Sequence, residues 1–475
     1  METILHAINY LCIVQSYREF LELSVEWPQE GFEVIDDELH FHGINLIELA
    51  ETYGTPLRVT YLPIIGKKIQ QARLYFQEAF LRNDYRGKYH YAYCTKSSHF
   101  RHILEEVLKH DVHIETSSAY DMEIVEALEK RGLISKKNTM IICNGYKTPA
   151  YQRRIVDLLH DGFENLIPVL DTKREVNYYL SELEVPAKVG IRVAIEEKPD
   201  FPVYTSRLGI RAGDVVDLYL DKIKSSSNLE LVMLHFFVSS GIRDTPYYWN
   251  ELEKMIQLYV ELKKEAPTLR YFNIGGGLPF RNSLDFEFDY QYVIGEIVRR
   301  LKVACQQHGV EEPDIVSEFG SYTVAESGAV LFKVVERKRQ NDKESWLILD
   351  GSLMTILPDI WALGQRYIIL PLNNWDAEYE RVILGGITCD EQDYYYRDAH
   401  TNVLFLPKTR KEMYIGFFHT GAYQESLSGV GGIHHCLIPT PRHILIRRER
   451  DGQAHVDILY EEQNSKQVLK ILGYL

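Results

Sequence analysis

Cysteine is scarce: six in 475 residues, and Cys12, Cys94, Cys143, Cys305, Cys389 and Cys436 contain no Cys-x-x-Cys pair. That spacing excludes a disulfide framework and leaves nothing to build a zinc site, so no metal is expected. Reduced thiols in a cytoplasmic setting are the simplest reading. Basic residues are also short, Lys plus Arg being 53 against 68 for Asp plus Glu, a net charge of −15. This balance argues against a broad nucleic-acid face and mildly favours a cationic ligand. No apolar run approaches the roughly 18 residues that would span a bilayer. The first basic residue is Arg18, so the start lacks the charged opening of an export signal. Low-complexity linkers are missing as well. What remains is ordinary globular material, 45% hydrophobic and 25% charged, long enough for more than one domain.

Between Tyr53 and Gly320, short runs rich in β-branched and aromatic residues alternate with amphipathic stretches. The runs are Tyr89–Thr95, Asp111–Thr116, Thr139–Gly145, Leu166–Asp171, Lys188–Ala194, Leu231–Val238, Leu269–Gly275 and Asp314–Gly320. Near-continuous hydrophobicity is what a parallel strand covered on both faces requires. Segments such as Lys68–Asn83, Asp121–Arg131, Trp249–Lys264 and Tyr290–Gln307 carry apolar residues at helical spacing. Eight alternations in about 250 residues predict a (β/α)₈ barrel. A doubly wound sheet is the competing reading and would use fewer repeats. Lys96, Glu115, Asn144, Ser239-Ser240, Gly275–Gly277 and Glu318 all fall at C-terminal ends of runs, which in a barrel meet at one mouth.

After about Ala329 short alternating stretches separated by Gly, Asn and Pro predict a mostly β domain, a sandwich or barrel. They are Val330–Glu336, Trp346–Asp350, Tyr367–Leu370, Glu380–Leu384, Val403–Leu406, Tyr414–Phe418 and His443–Arg447. The first 50 residues hold one expected helix, Tyr17–Leu23, and a strand pair near Gly31–His42, expected to pack on the β domain. The resulting division is 1–50, 51–329 and 330–475.

Several residues have both a bland and a chemical reading. A lysine after a buried strand, such as Lys96, is most often a surface charge. At a barrel mouth it can lose solvation and attack a carbonyl as a neutral amine, the placement Schiff-base chemistry needs. Gly275-Gly276-Gly277 makes a tight turn or lets main-chain N–H groups approach a phosphate; it is not the dinucleotide fingerprint. Glu318 either pairs with a neighbouring base or holds a protonated ring nitrogen of a cofactor, with Gly320 allowing the ligand close. Cys389, in Thr388-Cys389-Asp390-Glu391-Gln392-Asp393, packs or donates a proton beside acids that are either solvated or bind a cation. Tyr423, in Gly421-Ala422-Tyr423, packs or binds a phosphate oxygen.

In this order the pieces resemble the fold-type III pyridoxal-phosphate decarboxylases of basic amino acids, from about Tyr53 to Gly432. The markers are Tyr91–Lys96, Ile142–Lys147, Ser206–Ile210, Leu234–Ser240, Asn273–Gly277, Glu318–Gly320, Asp350-Gly351, Cys389–Asp393 and Gly421–Tyr423. The resemblance implies that Lys96 holds pyridoxal 5′-phosphate and Glu318 pairs with its pyridine nitrogen. Ser240, Gly275, Gly276, Gly277, Gly320 and Tyr423 would hold the phosphate. Cys389 would protonate the substrate carbon from the partner subunit of a homodimer with shared active sites, and Asp350 and Asp390, with Asp393 nearby, would receive the distal cation.

Two departures stand out. Phe237 occupies the place of the histidine that stacks on the cofactor ring, which needs only a π face. Ser321 replaces a phosphate-side arginine, leaving Arg207 as the candidate cation. Met233–Phe236 and Asn273–Leu278 look most like biosynthetic arginine decarboxylase, which implies arginine converted to agmatine and CO₂. Ornithine and diaminopimelate are the alternatives. Leu357-Pro358, where diaminopimelate enzymes carry Arg-Pro, points to a distal cation. A racemase would want a catalytic tyrosine in place of Cys389. An inactive regulatory relative would need none of Lys96, Glu318 and Cys389.

Overall fold

The computed structural model describes residues 14–195, 205–342, 344–395, 404–425, 435–449 and 451–475; Cys12, Val403 and Gly432 lie outside them. The chain forms two compact units, one of residues 64–280 and 288–324, the other of 1–63, 281–287 and 325–475.

The first unit is a closed parallel barrel. Its strands are β1 (Tyr89–Cys94), β2 (His113–Thr116), β3 (Ile141–Cys143), β4 (Leu166–Leu170), β5 (Ala187–Ala194), β6 (Leu229–His235), β7 (Tyr271–Asn273) and β8 (Asp314–Glu318). Each pairs in parallel with the next, and β8 returns to β1 through Ile315–Tyr89 to Glu318–Ala92. All eight runs expected from hydrophobicity are therefore barrel strands. Ala92, Met140, Ile142, Ile167, Val169, Val232, Met233 and Val316 form a buried cluster, a filled core rather than a pore. Helices start where the local chemistry dictates. Thr148 and Thr245 cap helices Pro149–His160 and Pro246–Glu265, each with proline at the first turn, where a missing N–H costs nothing. Gly309, at φ 66°, ends helix Tyr290–His308 in the left-handed region that glycine tolerates.

The second unit is built on a sheet whose central strands include Leu57–Tyr61 and Gly328–Arg339. Leu57–Tyr61 runs antiparallel to Gly328–Arg339 on one side and parallel to Arg442–Arg448 on the other. This strand lies sequence-wise within the stretch expected to open the barrel, so the units divide at Pro63 and Val324 rather than at 50 and 329. Segment 281–287 also belongs here. Helix Tyr17–Ser24 packs through Tyr17 on Trp375 and through Phe20 on Tyr379, with ring centroids 5.3 and 4.7 Å apart. The hairpin Phe32–Ile35/Glu38–Phe41 packs against Phe418, Phe32 meeting it edge-on and Phe41 at a tilt. Among the described residues, no helix is long and apolar enough to cross a membrane.

Candidate active site at the barrel mouth

β1 runs into a single 3₁₀ turn, Thr95–Ser97, that carries Lys96. Asp121 anchors this turn: its carboxylate accepts the Thr95 hydroxyl at 3.0 Å, the Ser117 N–H at 2.8 Å and lies 3.3 Å from His99. Burial alone would raise the Asp121 pKa, but the His99 contact, the Ser117 N–H and the Thr95 hydroxyl outweigh it and hold it down at about 2.

The Lys96 amine donates to Glu115 Oε2 at 2.6 Å, with the lysine partly exposed and the glutamate 1% exposed. Glu115 ends β2. Its other oxygen accepts Asn144 Nδ2 at 3.1 Å, and the same amide nitrogen donates to Glu318 Oε1 at 2.8 Å. Asn273, at the end of β7, donates to that Glu318 oxygen at 2.7 Å. The Cys94 thiol donates to the Glu318 carbonyl at 3.0 Å. Five strand ends, those of β1, β2, β3, β7 and β8, thus meet around two buried carboxylates. Burial pushes the Glu115 pKa up and Glu318 adds to the rise, with Lys96 opposing.

His235 closes β6 with Nε2 3.8 Å from Glu318 Oε2. Burial, then Arg192, push its pKa down to about 3, so the ring is neutral at pH 7. Arg192, opposite His235 in register on β5, feels Asp171, Glu318 and Glu115.

The glycine run is fixed by packing. A Cβ at Gly276 would sit 2.5 Å from the Glu318 carbonyl oxygen, one at Gly275 2.7 Å from that of Phe236, and one at Gly277 2.7 Å from Gly241 Cα. Gly275 and Gly277 also adopt φ of 71° and 89°. Gly320 packs directly on Ser97. Phe237 lies half-buried against Gly275, Ser240 is half-buried, and Arg207 is exposed. The structure therefore brings Lys96, Phe237, Ser240, the three glycines, Glu318 and Gly320 to one end of the barrel.

The second unit carries the remaining candidates. In the loop after strand Tyr379–Gly385, Asp393 accepts Met354 N–H at 3.0 Å and the Thr388 hydroxyl at 2.8 Å. Both of its oxygens serve the loop. Asp390 Oδ2 lies 3.2 Å from His435 Nε2, and the exposed Cys389 thiol lies 3.2 Å from that of Cys436. Asp350 accepts the Thr55 hydroxyl at 2.6 Å and Lys333 N–H at 3.0 Å, and burial raises its pKa. Tyr423 is half-buried at φ 67°.

Residues 67–325, more than half of the chain, match the family described as "pyridoxal-dependent decarboxylase, pyridoxal binding domain". The chain belongs to this family. It is thus a pyridoxal-phosphate-dependent carboxy-lyase. The biosynthetic arginine decarboxylase of Prochlorococcus marinus (strain MIT 9215) is 24% identical, over 89% of this chain and 83% of that one. Two crystal structures share the fold. The biosynthetic arginine decarboxylase from Campylobacter jejuni has a TM-score of 0.77 at 20% identity, covering 94% of this chain and 90% of its own. The diaminopimelate decarboxylase from M. jannaschii in complex with L-lysine has a TM-score of 0.76 at 21% identity, covering 93% and 97%.

The residues fit the cofactor. Lys96 offers an amine at the mouth and Glu318 a buried carboxylate for a ring nitrogen. Asn144 Oδ1, His235 Nδ1 and the Ser97 hydroxyl are buried polar atoms without a hydrogen-bond partner in the protein, the pattern left when a polar ligand completes a site. The sequence reading passed over Glu115 and Asn144 as partners of Lys96 and Glu318, although both stood at strand ends. Asn273, His235 and Arg192 were missed because each sits within an apolar run, and a polar residue there is the signal that could have found them.

Proposed function

We propose that the protein decarboxylates a basic L-amino acid, L-arginine being the preferred substrate, to give agmatine and CO₂. The observation that carries this reading is the Lys96–Glu115–Asn144–Glu318 constellation at the mouth of the family's cofactor barrel. The choice of arginine is supported by arginine decarboxylases aligned along about nine-tenths of the chain, and by Leu357 standing where a distal carboxylate would want arginine.

When bound, the cofactor supplies an electron-withdrawing ring that accepts the electron pair released with CO₂. Lys96 would hold the cofactor through its aldehyde, and Glu115 Oε2, 2.6 Å from the lysine amine, would take and return the amine proton. Glu318, aligned by Asn144 and Asn273, would face the ring nitrogen and hold its proton. Phe237 would offer a π face to the ring. Ser240, Gly275–Gly277, Gly320, Tyr423 and Arg207 would hold the phosphate. Cys389 would deliver a proton to the substrate carbon in the neighbouring subunit of a homodimer, and Asp350 and Asp390 would take the distal cation. Asp393 orders the loop that carries Cys389.

A CO₂-release assay across arginine, ornithine, lysine and diaminopimelate tests the reading. Arginine should give the highest kcat/KM, and Lys96→Ala should abolish release. Turnover of diaminopimelate in preference to arginine would reverse the substrate assignment, and CO₂ release by Lys96→Ala would remove the mechanism.

A further inference from the structure

Against the Cys389 loop stands a second thiol, from a distant segment of the chain, that the decarboxylation chemistry does not use. Cys436 Sγ lies 3.2 Å from Cys389 Sγ and accepts the Cys389 N–H at 3.4 Å. His435 Nδ1 lies 3.2 Å from Cys436 Sγ, and its Nε2 lies 3.2 Å from Asp390 Oδ2. A carboxylate, an imidazole and two thiols therefore stand in one line. Both thiols are exposed, whereas Cys94, Cys143 and Cys305 are buried. Asp393 fixes the loop by accepting Thr388 N–H and hydroxyl, so the position of Cys389 is set independently of the second thiol. Among the described residues no cluster is arranged to hold a metal ion.

We propose that Cys389 and Cys436 form a dithiol site that closes reversibly to a disulfide on reaction with a hydroperoxide, Cys436 attacking and Cys389 resolving. The two sulfurs need to approach by only about 1 Å to reach the ~2.05 Å of a disulfide. Cys436 is the better thiolate. The Cys389 N–H and thiol, then His435, lower its pKa, while the contact with Cys436 raises that of Cys389. The Cys436 thiolate attacks one peroxide oxygen and the O–O bond breaks. The departing alkoxide takes the proton held by His435, leaving an alcohol and a sulfenic acid on Cys436. Cys389 then loses its proton to His435 and attacks that sulfur. The S–S bond forms, the S–OH bond breaks, and the hydroxide leaves as water with that proton. Two thiols and one hydroperoxide give one disulfide, one alcohol and one water. An external dithiol reverses the change.

The full-length protein is treated with hydrogen peroxide, its free thiols are alkylated, and the digest is mapped by mass spectrometry before and after dithiothreitol. A peptide linking Cys389 to Cys436 is expected, lost on reduction. In His435→Gln the second-order rate of oxidation should fall, because an imidazole that favours the Cys436 thiolate is gone, and an undiminished rate would remove His435 from the site. Alkylation of both cysteines after peroxide, with no linked peptide, would overturn the proposal, as would oxidation of Cys389 at an undiminished rate in Cys436→Ser. Loss of activity on oxidation is also expected, and that arm rests on the proton-donor role proposed for Cys389. A disulfide that forms and leaves turnover intact would support the dithiol site and refute the donor role.

Discussion

Replacing Asn273 by leucine removes a hydrogen-bond donor from a buried carboxylate while nearly conserving side-chain size. Asn273 is fully buried; its Nδ2 donates to Glu318 Oε1 at 2.7 Å and its Oδ1 accepts Gly275 N–H at 2.9 Å. The bond to the carboxylate is worth about 1.5–3 kcal/mol, and stranding the Gly275 N–H costs about 1–3 kcal/mol, so Asn273→Leu should destabilise the barrel by roughly 2.5–6 kcal/mol. That is a large share of a typical folding stability of about 5–15 kcal/mol. Urea unfolding followed by near-ultraviolet circular dichroism measures the loss. The double variant Asn273→Leu/Glu318→Leu should lose less than the sum of the two single changes, because either single change already removes the bond between the two side chains. Asn273→Asp adds a pH signature: the new carboxyl and Glu318 repel when both are ionised, so this variant should gain more stability as pH falls than the leucine variant, which only removes one donor from Glu318. A loss below about 1 kcal/mol in Asn273→Leu, or strict additivity in the double variant, would refute the account of how Glu318 is held.

Asp121→Asn should cost about 2 kcal/mol at pH 7, from a carboxyl held near 2 against an ordinary value of 3.8. The depressed pKa means that this contribution is present above about pH 4 and lost as pH falls towards 2, so acid titration of parent and variant should converge there. Gly276→Ala places a methyl group 2.5 Å from the Glu318 carbonyl oxygen. It should destabilise by about 1–3 kcal/mol through overpacking, read as a lower thermal midpoint; an unchanged midpoint would show that the mouth yields.

The barrel was legible because parallel strands covered on both faces read as near-continuous apolar runs, and each run ends where a parallel strand delivers its last residue to the mouth. Lys96 and Glu318 stood out for that reason. Asn273, His235 and Arg192 did not, since their polarity is repaid by partners on other strands that the local pattern cannot show. Leu57–Tyr61 was taken with the barrel because a short strand does not announce which sheet it joins; its neighbours are Gly328–Arg339 and Arg442–Arg448. Asp393 looked like part of a cation site, but its oxygens are engaged by Thr388 and Met354. The approach of Cys436 to Cys389 joins residues 47 apart and leaves no periodic trace.

The same early strand sets an order of assembly on the ribosome. Thr60 and its hydrogen-bond partner His443 are 383 residues apart, so at about 5–20 residues per second the first waits some 20–75 s for the second. The barrel, nearly contiguous in sequence, can close during that interval. Leu57–Tyr61 meanwhile lacks its parallel neighbour, and a nascent or truncated chain ending before Arg442 presents that edge to whatever strand it meets.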